Sequence, residues 1–128
     1  LVSMAQFLWK AIDEAEGIDP VVELETQEGW TAAQQQVNVY LSDPDFSNLP
    51  KLIASHLAQL TGADLVFLWR AGALAPGMYY ISKLLDELRD RLPMPVVLFY
   101  PGVLDDQGLS FMGLRDRETT ANYRVKIY

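Results

Sequence analysis

The chain has 128 residues, half of them hydrophobic and 21% charged, which is typical of one globular domain and excludes a disordered segment. It has no cysteine and one histidine, so disulfides, thiolate metal sites and cysteine nucleophiles are excluded, and little remains for histidine-based catalysis. The net charge is −7, and residues 1–64 carry ten acids against two bases, so we do not expect direct binding to duplex DNA.

The opening stretch, LVSMAQFLWK, lacks the basic start and the small-residue cleavage site of a signal peptide. No apolar run approaches the ~20 residues that cross a bilayer, and the absence of cysteine fits a reducing compartment. We therefore predict a cytoplasmic protein that makes no membrane contact. Because the chain begins at Leu1 rather than Met, we also expect it to be a fragment of a longer protein.

The first segment predicts an amphipathic helix. Apolar residues recur at helical spacing from Met4 to Ala15, with charged residues between them, and Gly17 is placed to end the helix. Residues 19–29, DPVVELETQEG, form a connection to which the pattern assigns no structure.

Two further helices are predicted before residue 62. The stretch WTAAQQQVNVYLS has an apolar side at helical spacing, and Thr31 is a plausible N-cap for it. A loop rich in capping residues follows. Pro50 suits the first turn of the next helix, which Gly62 is expected to close.

The second half of the chain predicts a parallel sheet. Residues 65–69 and 95–100 are continuous apolar runs, the pattern of strands covered on both faces. A leucine-rich helix from about Gly77 separates them, so they should be parallel neighbours joined by a right-handed crossover. Shorter strands are predicted within 109–114 and 122–128. We expect a small α/β domain of three-layer type: a mainly parallel sheet with flanking helices and a Rossmann-like or P-loop-like topology without a functional P-loop.

The ends of the two apolar strands define the candidate site. In an open parallel sheet, ligands and partners lie beyond the carboxyl ends of the strands, so Arg70 and Gly72 should emerge beside Tyr100. Pro101 removes an amide donor, and Gly102 permits a turn with positive φ. The sequence YPG therefore predicts one lip of a crevice, although an ordinary turn explains it equally well.

The sequence GALAPG resembles a phosphate-binding loop in spacing only. Gly72 and Gly77 are separated by four residues between a strand and a helix, but Met78 replaces the phosphate-clamping lysine. Tyr79 stands where a Mg²⁺ ligand would be, and Pro76 removes a backbone N–H. We do not expect nucleotide hydrolysis, while weak anion binding at the helix N-terminus stays an alternative.

The tyrosines after that loop are candidate interface residues. Met78, Tyr79 and Tyr80 cannot all face inward on one helix, so one of the two tyrosines should lie at the surface. An exposed tyrosine near Arg70 and the strand ends is typical of residues that anchor protein interfaces, although a half-exposed tyrosine also occurs without any such role.

The remaining titratable residues favour structural roles. His56 lies at helical spacing among apolar residues, so we predict a partly buried histidine at the edge of the core rather than a ligand or a base. The pairs at 43 and 45 and at 105 and 106 are possible hard-metal ligands, but Asp is common in turns for capping reasons alone. A carboxylate-dependent nuclease using Asp105 and Asp106 is a further alternative. We predict no catalytic residue, no metal and no cofactor.

The stretches DLVFLWRAGALAP, LLDEL, PVVLFYPG, GLSFMGL and NYRVKIY, in this order, resemble the C-terminal half of the BrxB-like family, also called DUF1788. FLWKAIDEAEGI is similar to an earlier helix of that family. Members are longer at the N-terminus, so residues 1–128 are expected to form a single BrxB-like α/β domain without that portion. The family often has an arginine where Tyr79 or Tyr80 stands, and Asn122-Tyr123 replaces its doubled tyrosine.

The resemblance implies a component of a BREX bacteriophage-exclusion system, which combines a DNA methyltransferase, a large ATPase, the alkaline-phosphatase-like protein PglZ and small accessory proteins. We therefore predict a non-catalytic interaction subunit for phage resistance in bacteria, with a PglZ-like protein as its expected partner. Self-association through an apolar edge is also compatible with the sequence. The alternative is a degenerate nucleotide- or anion-binding regulatory domain. The predicted partner surface comprises Arg70, Gly72, Pro76, Tyr79, Tyr80, Tyr100, Pro101, Gly102 and Arg124.

Overall fold

The computed structural model describes residues 1–75, 79–89, 91–105, 108–112 and 126. Within them the chain forms helices, a parallel sheet and a separate hairpin. The elements in chain order are β1 (Val2–Ser3), α1 (Met4–Ala15), α2 (Asp19–Glu28), α3 (Trp30–Ser42), α4 (Leu49–Leu57), β2 (Val66–Trp69), a 3₁₀ turn (Ala71–Leu74), α5 (Ile81–Arg89), β3 (Val96–Leu98), β4 (Gly102–Asp105) and β5 (Gly108–Phe111).

The sheet has three parallel strands in the order β1-β2-β3. Leu68 pairs with Leu98 on one side of β2 and with Val2 on the other. The prediction that the two apolar runs form parallel neighbours is therefore confirmed. The sequence pattern missed β1, because a strand of two residues shows no alternation.

The helices lie over one face of this sheet. Both crossovers step in the same direction across the sheet, and right-handed crossovers then pass over the same face; α4 packs against α5, as this requires. Val2, Val66 and Leu68 are buried under the helices. The side chains that are fully buried are Met4, Tyr40, Leu41, Leu49, Pro50, Ile53, Leu57, Val66, Leu68, Leu74 and Leu84.

The other face of the sheet, here called the open face, is formed by Phe67, Trp69, Val97 and Phe99. Phe67 and Trp69 are half-buried, whereas Val97 is 41% and Phe99 57% exposed. The expectation that both strands are covered on both faces is therefore wrong for the described residues. The mixed α/β class is confirmed, but the Rossmann-like, three-layer arrangement is not.

Helix α1 matches its predicted range, and Gly17 ends it with a positive φ of 80° and an N–H bond to the Ile12 carbonyl. The connection predicted at 19–29 is instead helix α2, with Pro20 in its first turn. Only Val21 of this helix is buried, so it lacks the apolar stripe by which a helix is recognised in a sequence.

The predicted N-cap of α3 is wrong. The helix begins at Trp30, and its cap position is Gly29 with φ of 88°, so Thr31 already lies inside the first turn. Glycine is accepted there because it has no Cβ to oppose a positive φ. No side-chain hydrogen bond caps this helix.

Helix α4 begins as predicted and ends early. Pro50 lies in its first turn, and the Asn48 side chain caps it by accepting a hydrogen bond from the Lys51 amide at 3.2 Å. The helix stops at Leu57, so Gly62 does not close it.

Helix α5 begins at Ile81, four residues later than the sequence suggested. After β3, strands β4 and β5 form an antiparallel hairpin, which includes part of the strand predicted at 109–114. Of the strand predicted at 122–128, only Lys126 belongs to the described residues. No helix in the described part of the chain is both long and apolar enough to cross a membrane.

Candidate functional site

The structure brings the two strand ends together. The Phe99 amide donates to the Leu68 carbonyl at 2.9 Å, so the parallel ladder continues to the last residues of β2. A Cβ placed on Gly72 would lie 3.9 Å from Cγ of Pro101. The segment after β2 and the sequence YPG after β3 are therefore in contact, as the parallel register requires.

Arg70 occupies an unusual backbone conformation at this site. Its φ of 58° and ψ of 35° are left-handed, a region that costs a non-glycine residue about 1–2 kcal/mol. The exposed guanidinium lies over the Trp69 ring, with Cζ 4.4 Å from the ring centroid. The Arg70 carbonyl accepts from the Ala73 amide at 3.0 Å and opens the 3₁₀ turn. Strain of this kind clusters at functional sites.

The start of GALAPG is a 3₁₀ turn, Ala71–Leu74. A methyl group on Gly72 would meet Pro101 and Met112 at ordinary contact distances of 3.8–3.9 Å, so its backbone does not require glycine. Pro76 and Gly77, the rest of the loop, lie outside the described residues. The anion-binding alternative therefore stays a prediction.

The YPG segment links β3 to the hairpin. Tyr100 is half-buried, and its ring packs edge-on against Phe111 with centroids 5.4 Å apart. The Pro101 carbonyl accepts from the Met112 amide at 2.6 Å. The prediction of a positive φ at Gly102 is wrong: this residue begins strand β4. Glycine is needed there because a Cβ would overlap the Ser110 carbonyl oxygen and the Tyr100 ring.

Of the two tyrosines, one is exposed as predicted. Tyr80 is 60% exposed, whereas Tyr79 is buried and its hydroxyl donates to Glu87 Oε1 at 3.2 Å. Burial raises the pKa of the Tyr79 phenol, and the charge of the nearby Glu87 carboxylate raises it further. Lys83 Nζ lies 3.7 Å from that carboxylate and 5.3 Å from the Tyr79 ring centroid. Tyr79 therefore has a structural role, and only Tyr80 can contact a partner.

The open face adds aromatic residues that the sequence pattern did not single out. The rings of Phe67 and Phe99 stack at 5.9 Å with an interplanar angle of 21°. Phe99 immediately precedes Tyr100, so the open face is continuous with the strand ends. We call the region formed by the exposed Val97, Phe99 and Arg70 and the half-buried Tyr100 and Pro101 the strand-end surface. The remaining predicted site residue, Arg124, lies outside the described residues.

The other candidate residues have local partners. His56 lies at the edge of the core as predicted, with its ring edge-on against Phe7 at 5.3 Å, but it is exposed on α4 rather than partly buried. Asp43 Oδ1 accepts from the Asp45 amide at 2.9 Å, the capping role expected of it. Asp106 lies outside the described residues, and within them no cluster of three or more histidine or acidic side chains could hold a metal ion.

The family model for the BREX protein BrxB matches residues 1–127. The chain belongs to the BrxB family. The resemblance drawn from the strand and helix motifs is therefore confirmed, and this BrxB-family chain is a component of a BREX system. No curated protein and no solved structure matches it.

Proposed function

We propose that this BrxB-family chain is a non-catalytic interaction subunit of a BREX phage-defence complex, and that its strand-end surface binds a protein partner, with a PglZ-like protein as the expected one. The observation that carries the proposal is the exposure of Val97 and Phe99 on the open face, beside the left-handed Arg70. Contiguous exposed apolar surface of this kind marks interaction sites in proteins.

The chemistry of the strand-end surface suits a protein better than a small ligand. Its exposed residues are the aromatic Phe99, the aliphatic Val97 and the guanidinium of Arg70. Aromatic residues and arginine are enriched at the buried centres of protein interfaces. Arg70 stacked on Trp69 is already held in place, so little side-chain entropy is lost when a partner contacts it.

The proposal is tested by measuring the affinity of the chain for the purified PglZ-like protein of the same BREX system. Truncating hot-spot residues costs about 2 kcal/mol or more, so Phe99→Ala combined with Arg70→Ala should weaken binding by roughly 30-fold or more. Val39→Ala is the matched control, because Val39 is an apolar residue of α3 with 39% exposure outside the strand-end surface. It should leave the affinity unchanged.

Three outcomes would count against the proposal. Equal affinity of the double variant and the wild type would exclude the strand-end surface, and absence of any binding would exclude the PglZ-like partner. A rise in melting temperature with nucleotide would favour the anion-binding alternative instead, because a ligand of the native state stabilises it. If the proposal holds, cells that carry the double variant should no longer restrict phage in a plating assay, whereas cells that carry Val39→Ala should still restrict it.

A further inference from the structure

Helix α2 leaves most of its surface without a partner in the described fold. It packs chiefly on α3, and Val21 is its only buried residue. Val22 is 51% exposed, as is Trp30 at the start of α3, and Ile18 at the α2 cap position is 37% exposed. These three large apolar side chains are exposed within one short helix and its two ends, and such a cluster of exposed apolar surface marks an interaction site.

Ile18 and Val22 lie on successive turns of one helix face. The Val22 amide donates to the Ile18 carbonyl at 3.0 Å, which fixes the helical spacing between them. Residues four apart in a helix are neighbours on its surface. The two side chains therefore form a short apolar ridge. Thr26 lies one turn further along, where its hydroxyl donates to the Val22 carbonyl at 2.9 Å.

Carboxylates surround this ridge. Residues 9–30 carry seven acids and one base, and all seven carboxylate side chains are exposed. The one base, Lys10, lies 3.6 Å from Glu14 and is already paired. We call Ile18 and Val22, together with the four α2 carboxylates, the acidic ridge. Those carboxylates are Asp19, Glu23, Glu25 and Glu28.

We infer that the acidic ridge is a second docking surface and that its occupant is a basic protein surface, rich in Lys and Arg around an apolar contact, on another component of the complex. Charge complementarity selects that occupant: an apolar centre ringed by carboxylates gains affinity from burying Ile18 and Val22 and association rate from opposite charges. A nucleic acid would be repelled by the same carboxylates. A second copy of the chain is disfavoured as the occupant, because two acidic ridges would repel each other and each chain has a net charge of −7.

This surface uses different residues from the strand-end surface, and it does not depend on the PglZ assignment. Together the two surfaces make the chain bivalent, an adaptor that contacts two proteins with surfaces of different chemistry. The strand-end surface is apolar with a single arginine, whereas the acidic ridge is strongly anionic.

The test is binding of the full chain to each purified protein component of its BREX system across a salt series, from about 50 to about 500 mM NaCl. The expected result is one component whose association rate falls roughly tenfold or more over that series. Glu23→Lys with Glu25→Lys should weaken its binding at least about tenfold, and Val22→Ser should weaken it without changing the salt dependence. Asp86→Lys, at an exposed carboxylate of α5 outside the acidic ridge, is the matched control for Glu23→Lys or Glu25→Lys alone, because each of the three changes the net charge by two.

Arg70→Ala separates this inference from the proposed function, because it should leave the salt-dependent binding intact. Circular dichroism of each variant is the control for folding. The inference is overturned if no component binds with salt dependence, or if Asp86→Lys weakens binding as much as the ridge variants do. It is also overturned if the chain itself sediments as a dimer that the ridge variants dissociate.

Discussion

Gly102→Ala is expected to destabilise the protein although the backbone at this position is an ordinary strand. The added Cβ would overlap the Ser110 carbonyl oxygen and the Tyr100 ring, and it would lie 2.7 Å from Tyr100 Cδ1. The ring can rotate, but the carbonyl belongs to the facing strand, since Gly102 pairs with Phe111 next to it. The methyl group therefore fits only if β4 and β5 separate.

Overpacking of this kind costs about 1–3 kcal/mol. For a protein of 128 residues, each kcal/mol of lost stability lowers the melting temperature by about 4 °C, so we expect the melting temperature to fall by about 4–11 °C. Gly72→Ala is the matched control at the same site, because its Cβ would meet Met112 and Pro101 at ordinary contact distances. Restricting the unfolded chain should make that variant neutral or more stable by up to about 1 kcal/mol.

The assay is thermal and urea unfolding of both variants, combined with amide hydrogen exchange of the β4–β5 hairpin. Exchange detects local opening that a global transition misses. Because Tyr100 shifts with the methyl group, Gly102→Ala should also weaken partner binding at the strand-end surface, whereas Gly72→Ala should not. Equal urea midpoints and equal hairpin exchange in the two variants would show that the close approach of Gly102 to Ser110 is not a constraint.

Three more predictions concern stability. Ser3→Ala should stabilise the protein by about 1 kcal/mol, because the buried Ser3 hydroxyl has no hydrogen-bond partner among the described residues and forms no cap bond for α1; a loss of stability in urea would contradict this. Asn48→Ala should cost about 1 kcal/mol through loss of the α4 cap, whereas Thr31→Ala should change stability by less than about 0.5 kcal/mol, and equal effects in urea would count against these assignments. Burial raises the pKa of Tyr79, so as pH rises above about 10 the unfolded chain loses the phenol proton before the folded chain does. The contribution of Tyr79 to the free energy of unfolding is therefore full below that pH and falls above it by up to about 1.4 kcal/mol per pH unit. Tyr79→Phe should flatten the fall between about pH 9.5 and 11, and an unchanged slope would show that Tyr79 does not titrate differently in the folded state.

The sequence predicts the elements whose burial is periodic or continuous. The apolar stripe from Met4 to Ala15 forms α1, and the two continuous apolar runs form the parallel strands β2 and β3. Helix α2 could not be predicted in this way, because Val21 is its only buried residue and it therefore has no apolar stripe. Its helicity follows from Pro20 in its first turn and from packing on α3, and the latter is a tertiary contact that no local pattern shows.

The candidate site is predictable in position but not in detail. Parallel pairing of the two apolar runs is enough to place Arg70 beside Tyr100, so the sequence alone predicts where the site lies. The left-handed backbone of Arg70 leaves no mark in the sequence, because arginine does not favour that conformation, and the crowding of Gly102 depends on how the β4–β5 hairpin brings Ser110 and Tyr100 against it. The open face is hidden for a different reason: Phe67 and Leu68 are equally apolar, although one lies on the open face and the other in the core.

The three tryptophans make the chain its own optical probe. Trp69 lies under Arg70 at the strand ends, Trp30 is half-exposed where α2 meets α3, and Trp9 is 53% exposed on α1. With Trp9→Phe in the background, replacing either remaining indole leaves one emitter beside one of the two surfaces. Contact with a partner shields the nearby indole from water and shifts its emission to the blue. Two single-tryptophan chains can therefore report, without added dye, which surface of the subunit each component of the complex occupies and in what order.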